Sequence, residues 1–129
     1  MKYLGIDYGA KRVGIAVSDA EGRIAFPRTV LVNDEKLISQ VVKILEGEKV
    51  GIVVVGDTKA FSGLENPITK ELESFVGRLK QEIDLPVIPA WEAGSSIEAS
   101  RYAEQGNEHK DEAAAAIILQ RFLDMRGTK

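Results

Sequence analysis

The chain has 129 residues, no cysteine, one histidine and a formal net charge of -3. That length makes a single domain, residues 1–129, able to bury about 60 to 70% of the surface its unfolded form exposes. The composition excludes disulfides, thiolate metal centres and a zinc site built on imidazole, so any metal must be held by oxygen.

The acidic balance is ordinary for a cytoplasmic enzyme and unlike that of a protein that coats nucleic acid through Lys and Arg. Met1-Lys2-Tyr3-Leu4-Gly5 runs straight into Asp7 and lacks the apolar stretch of a signal peptide. No run reaches the roughly 18 apolar residues of a membrane span. The expectation is a cytoplasmic protein with no membrane partner.

Tyr3 to Asp7 and Val13 to Ser18 are apolar runs separated by Gly9-Ala10-Lys11-Arg12, which predicts two strands and a tight turn. A third run, Ile24 to Val32, follows Glu21-Gly22-Arg23. Strands this closely spaced must form an antiparallel meander, because parallel neighbours need a long crossover.

Asn33 and Asp34 supply a helix start, and Leu37, Ile38, Val41, Val42, Ile44 and Leu45 keep helical spacing up to Gly47. Gly51 to Gly56 is a continuous β-branched run, which predicts a strand covered on both faces. After a polar loop from Asp57 to Glu65, Asn66 as cap and Pro67 at the first position open a helix to about Ile83. Its buried stripe is Leu72, Phe75, Val76, Leu79 and Ile83.

Pro86 to Ala90 predicts a fifth strand. Ser95-Ser96-Ile97-Glu98 is a capping box that starts a helix ending at Gly106-Asn107. The segment from Asp111 to about Met125 is helical, its two leading carboxylates suiting a helix amino terminus. The fold class is therefore α/β: one mixed five-stranded sheet, three antiparallel strands followed by alternating helix and strand, with helices on both faces and right-handed crossovers.

Asp7 ends the first strand and is followed by Tyr8 and Gly9, so it stands at the sheet edge where glycine lets a ligand approach the backbone. A strand-ending Asp can also be a plain turn former. The whole block from Gly5 to Asp19, however, resembles the opening hairpin of the YqgF-type pre-16S rRNA nucleases, also described as Holliday-junction-resolvase-like, nearly position for position. The likeness continues through Val53-Val54-Val55-Gly56, Gly63, Ser95 to Ala99 and Asp111 to Gln120, and so covers almost the whole chain.

This resemblance implies a ribonuclease H-like fold and a site of three carboxylates, which fall here on Asp7, Glu92 and Asp111 as catalytic and metal-binding residues. Like charges about 4 Å apart repel by roughly 4 kcal/mol at an effective dielectric of 20, a cost that a divalent ion relieves. Mg²⁺ or Mn²⁺ suits carboxylates plus water, and the implied reaction is metal-assisted phosphodiester hydrolysis.

The implied setting is pre-16S rRNA 5′-end processing or junction resolution, with structured RNA or a DNA junction as partner and a monomer or weak homodimer as the acting species. Lys11 and Arg12 in the first turn, Ser95, and Lys110 before the last helix are candidates for holding substrate phosphates. His109 could assist a proton transfer, and Trp91 could stack a base or pack against the sheet.

Two places depart from the family pattern. Trp91-Glu92-Ala93-Gly94-Ser95-Ser96 keeps the Glu and the hydroxyls but lacks the family's preceding Asp and following Arg. Asp57-Thr58 stands where an apolar residue and proline are usual. The chain reads either as a divergent nuclease, with Asp57 or Lys110 taking over lost functions and Glu112 able to substitute for Asp111, or as a degenerate member that binds nucleic acid or protein without cutting. A third reading, the phosphate-binding hairpin of actin-like ATPases, requires two domains where 129 residues supply one.

Overall fold

The computed structural model describes residues 1–56, 67–90 and 110–127, with the side chains of all of these except 67–69, 110–112 and 126–127. The strands are β1 (Tyr3–Tyr8), β2 (Arg12–Ser18), β3 (Ala25–Val32), β4 (Ile52–Gly56) and β5 (Val87–Ala90). The helices are α1 (Leu37–Glu48), α2 (Pro67–Glu82) and α3 (Lys110–Gly127). The helix expected from Ser95 lies outside the described residues.

Strand order is β3-β2-β1-β4-β5. The first three strands are antiparallel, while β4 lies parallel to β1 and β5 parallel to β4. The mixed sheet with helices on both faces is as the hydrophobic pattern requires.

Alternation along each strand divides the core in two. Leu4, Ile6, Val13, Ile15, Val17, Val53 and Val55 pack beneath α1 and α2, with Leu37, Val41, Leu45, Leu72, Phe75 and Leu79. Tyr3, Ala16, Val54 and Ala90 face α3 through Ala115, Ile118, Leu119 and Leu123. Strand β4 is buried on both sides, which is why its β-branched run is unbroken.

Gly5 sets how closely α3 can lie. A Cβ there would stand 2.8 Å from Leu119 Cβ and 3.3 Å from the Ala115 carbonyl oxygen. The alanine-rich stretch of α3 meets the sheet at the one position of β1 without a side chain. Gln120 then ties the helix to the β2–β3 hairpin, its Oε1 accepting from the Ala25 N–H at 2.8 Å and its Nε2 donating to the Arg23 carbonyl at 2.9 Å.

The start of α1 differs from expectation. Its first residue is Leu37, and the residue before it, Lys36, makes no side-chain cap. Asp34 Oδ1 accepts from the Lys36 N–H and its carbonyl accepts from the Leu37 N–H, so Asp34 forms a turn leading into the helix. Asn33 is turned to a different task, described below. At its far end α1 stops at Lys49, which adopts φ 57° and directs its N–H to the Glu46 carbonyl while Val50 N–H reaches Leu45.

Strand β3, one of the two outer strands among the described residues, carries a bulge. Ile15 pairs with Thr29 and Ala16 with Pro27, so Arg28 is the extra residue. Its guanidinium reaches Glu48 at 3.0 Å, and Lys2 Nζ meets the other carboxylate oxygen at 2.7 Å. One carboxylate thereby joins the start of β1, the end of α1 and the bulge. Lys2 and Arg28 hold the Glu48 carboxyl below its ordinary value.

Three outcomes follow from this architecture. Gly5→Ala should cost about 1–3 kcal/mol in a urea melt, because Leu119 must retreat from the new methyl group. Lys49→Gly should gain about 0.5–1 kcal/mol, since glycine adopts the left-handed conformation without a Cβ penalty. Because the folded Glu48 carboxyl lies below its unfolded value, its stabilisation is present above the unfolded pKa and lost as pH falls through the folded one. Glu48→Gln should thus lose up to about 1 kcal/mol at pH 7 relative to the parent, and the difference should narrow as pH falls below the ordinary carboxyl value and close once it is below the lowered folded one.

Candidate functional site

In parallel sheets ligands bind beyond the carboxyl ends of the strands, and here β1, β4 and β5 end on one edge, at Tyr8, Gly56 and Ala90. Asp7 stands on that edge, half-buried, near the end of the central strand. It lies on the same face as Tyr3 and Gly5, the face that α3 covers.

The neighbours of Asp7 across the sheet are small. Its partner in β2 is Gly14. In β4, Ile6 pairs with Val55, so the next residue along is Gly56, which in turn pairs with Ala90. The row Gly14, Asp7, Gly56, Ala90 holds one carboxylate and nothing else larger than a methyl group.

Helix α3 delivers its amino end to the same place. Tyr3 packs on Phe122 with ring centroids 6.0 Å apart, whereas Gly5 meets Leu119 and Ala115, so residue numbers in α3 fall as those in β1 rise. Two residues of strand cover about 6.6 Å, the rise of about four helical residues. The first turn of α3, containing Lys110, Asp111 and Glu112, therefore comes to the Asp7 end of β1.

The turn from Gly9 to Lys11 completes this edge. Lys11 and Arg12 are both exposed, and Arg12 begins β2 two residues before Gly14 on the face shared with Asp7. Gly9 is obligatory, because a Cβ there would stand 2.5 Å from the Arg12 carbonyl oxygen.

The structure thus brings together Asp7, Lys11, Arg12 and the helix turn that carries Lys110 and Asp111. Glu92 and Ser95 lie outside the described residues, as do Trp91, His109 and Asp57. Among the described residues no three metal-capable side chains cluster, and no helix is long and apolar enough to cross a membrane.

Gly14, Gly56 and Ala90 were not among the residues the sequence singled out. The hairpin register carried the signal for Gly14, since strands joined by a turn at Gly9 to Arg12 place residue 14 opposite residue 7. Asn33 was read only as a helix start.

The sequence profile of the family described as "RuvX: Holliday junction resolvase" matches residues 1–125. A protein of Oleidesulfovibrio alaskensis named "Putative pre-16S rRNA nuclease" is 37% identical, over 97% of this chain and 93% of its own. One of the same name from Lawsonia intracellularis is 38% identical, over 96% and 94%. Among solved structures, Thermus thermophilus RuvC in complex with a Holliday junction substrate superposes with a TM-score of 0.64 at 18% identity, covering 99% of this chain and 97% of that one. The fowlpox virus Holliday junction resolvase gives 0.57 at 13% identity, over 98% and 99%.

The last two identities are low and establish the fold alone, a ribonuclease H-like α/β sheet. Full-length agreement of the family profile and of relatives above 30% identity goes further: this chain belongs to the RuvX family of Holliday junction resolvases.

Proposed function

We propose that the chain is a metal-dependent nuclease that hydrolyses phosphodiester bonds in structured nucleic acid in the cytoplasm. The observation that carries this reading is Asp7, a half-buried carboxylate at the carboxyl end of the central strand, in a row otherwise made of Gly14, Gly56 and Ala90. The names of the relatives favour pre-16S rRNA as substrate. The family description favours a four-way junction as the second reading. A junction presents two related strands and calls for two copies of the chain, whereas trimming one RNA end calls for one.

The donor chemistry fits a hard cation. Cysteine is absent, histidine is single, and the expected ligands Asp7, Glu92 and Asp111 offer only oxygen. Glu92 follows Ala90 by two residues in sequence, a tether of at most about 7 Å. When bound, Mg²⁺ or Mn²⁺ polarises a phosphate oxygen and lowers the pKa of water.

The chain's own residues do the rest. Asp7 supplies fixed negative charge on a rigid strand, and Glu92 and Asp111 are the two further carboxylates expected to share the cation with it. Lys11 and Arg12 neutralise and orient the phosphates on either side of the scissile bond, the first as a point charge and the second as a two-pronged donor. Ser95 and Lys110 add a hydroxyl and an ammonium to the same grip. The amino end of α3 contributes the positive pole of an 18-residue helix.

Asp7→Asn separates this reading from a binding module without chemistry. The parent should melt several degrees higher in Mn²⁺ or Mg²⁺ than in EDTA, and Asp7→Asn should lose that rise. Cleavage of a pre-16S rRNA 5′ leader or a four-way junction should fall at least ~100-fold in the variant, more than the loss of an outer-shell partner costs. Unchanged cleavage, or a metal response that survives the substitution, would remove Asp7 from the site.

A further inference from the structure

The turn between β1 and β2 is held from outside by a residue the proposed chemistry does not use. Asn33 follows the last residue of β3 and stands opposite Lys11, beyond the Arg12–Val32 pair. Its backbone N–H donates to the Lys11 carbonyl at 2.9 Å, and its side-chain Nδ2 donates to the Gly9 carbonyl at 2.7 Å. Only an amide nitrogen can make the second bond, since the side-chain oxygen has no proton to offer a carbonyl. One residue thus grips the turn at both ends, and it is itself half-buried.

We infer that Asn33 is a positioning residue that fixes the Gly9–Lys11 turn so that Lys11 and Arg12 present their charges to substrate phosphates at the Asp7 edge. The inference rests on the phosphate role proposed for those two cations. Among the described residues the side chains of the turn itself give it little support: Ala10 and Lys11 are exposed, and Gly9 has none. A glycine-containing turn samples many conformations unless its carbonyls are tied. Asn33 supplies that tie from just beyond the end of β3, a strand whose own residues the proposed chemistry does not use, so the orientation of the cations depends on where β3 ends.

The test uses the full chain and a fluorescently labelled four-way DNA junction as the probe, with dissociation constants measured across a salt series. Each phosphate contact contributes about 0.9 to the slope of log affinity against log salt. Lys11→Ala should weaken binding and lower that slope by about one. Asn33→Ala, and the near-isosteric Asn33→Leu that keeps side-chain volume, should each weaken binding about 3- to 10-fold and lower the slope similarly.

Adding Asn33→Ala to Lys11→Ala should then cost little more, because both act through one contact. The melting response to Mn²⁺ should stay at the parental value, and in cleavage assays KM should rise while kcat holds. A role confined to stability would lower the melting temperature and leave the salt slope alone, which would overturn the inference. Full additivity of the two substitutions would overturn it as well. No binding by the parent, or no loss in Lys11→Ala, would overturn the phosphate role itself and the brace with it.

Discussion

The contact between Gly5 and α3 governs the geometry of the whole α3 face. With no side chain at Gly5, the backbone of the central strand and the Ala115–Leu119 stretch of the helix come within van der Waals contact. That approach seats Ala115, Ile118, Leu119 and Leu123 against Tyr3, Ala16 and Val54, and it leaves the first turn of the helix at the level of Asp7. Two residues set the axial position from the other direction. Phe122 packs on Tyr3, and Gln120 is bound to the start of β3.

The opposite face is assembled by different means. There α1 and α2 bury aliphatic stripes and Phe75, whose ring lies 5.1 Å from that of Tyr8. Tyr8 points down into that core while its neighbour Asp7 points up toward α3. Pleating alone separates the two: the residue that anchors the end of β1 and the residue that offers a carboxylate are adjacent in sequence and opposite in direction. A rigid strand end suits the metal-binding role proposed for that carboxylate, because a ligand that must be ordered on binding weakens a site.

Much of this was legible before any coordinates. Alternation in Tyr3 to Ser18 is strict enough to define the first hairpin, and the unbroken Val53-Val54-Val55 run could only be a doubly covered strand. Asp7 was legible because it interrupts an apolar run just before a glycine. What escaped reading is of two kinds. Asn33 and Asp34 are both good helix caps by residue type, and single-sequence reasoning cannot tell a cap from a residue whose amide is drawn to a distant carbonyl, here that of Gly9, 24 positions away. The small row around Asp7 is scattered over positions 14, 56 and 90 and exists only once three strands are in register. The parallel pairings that complete it carry no turn to announce their alignment.

The bulge at Arg28 also bears on how the molecule meets other chains. One rim of the sheet among the described residues is β3, and an outer strand is normally an invitation to a further strand. Here that rim contains Pro27, which has no amide proton to share, next to a residue out of step with the ladder whose side chain is drawn back to Glu48. A neighbouring polypeptide laid along it would find its hydrogen bonding interrupted midway. The irregularity that anchors Arg28 thus also guards this rim of the sheet against pairing edge to edge with another copy.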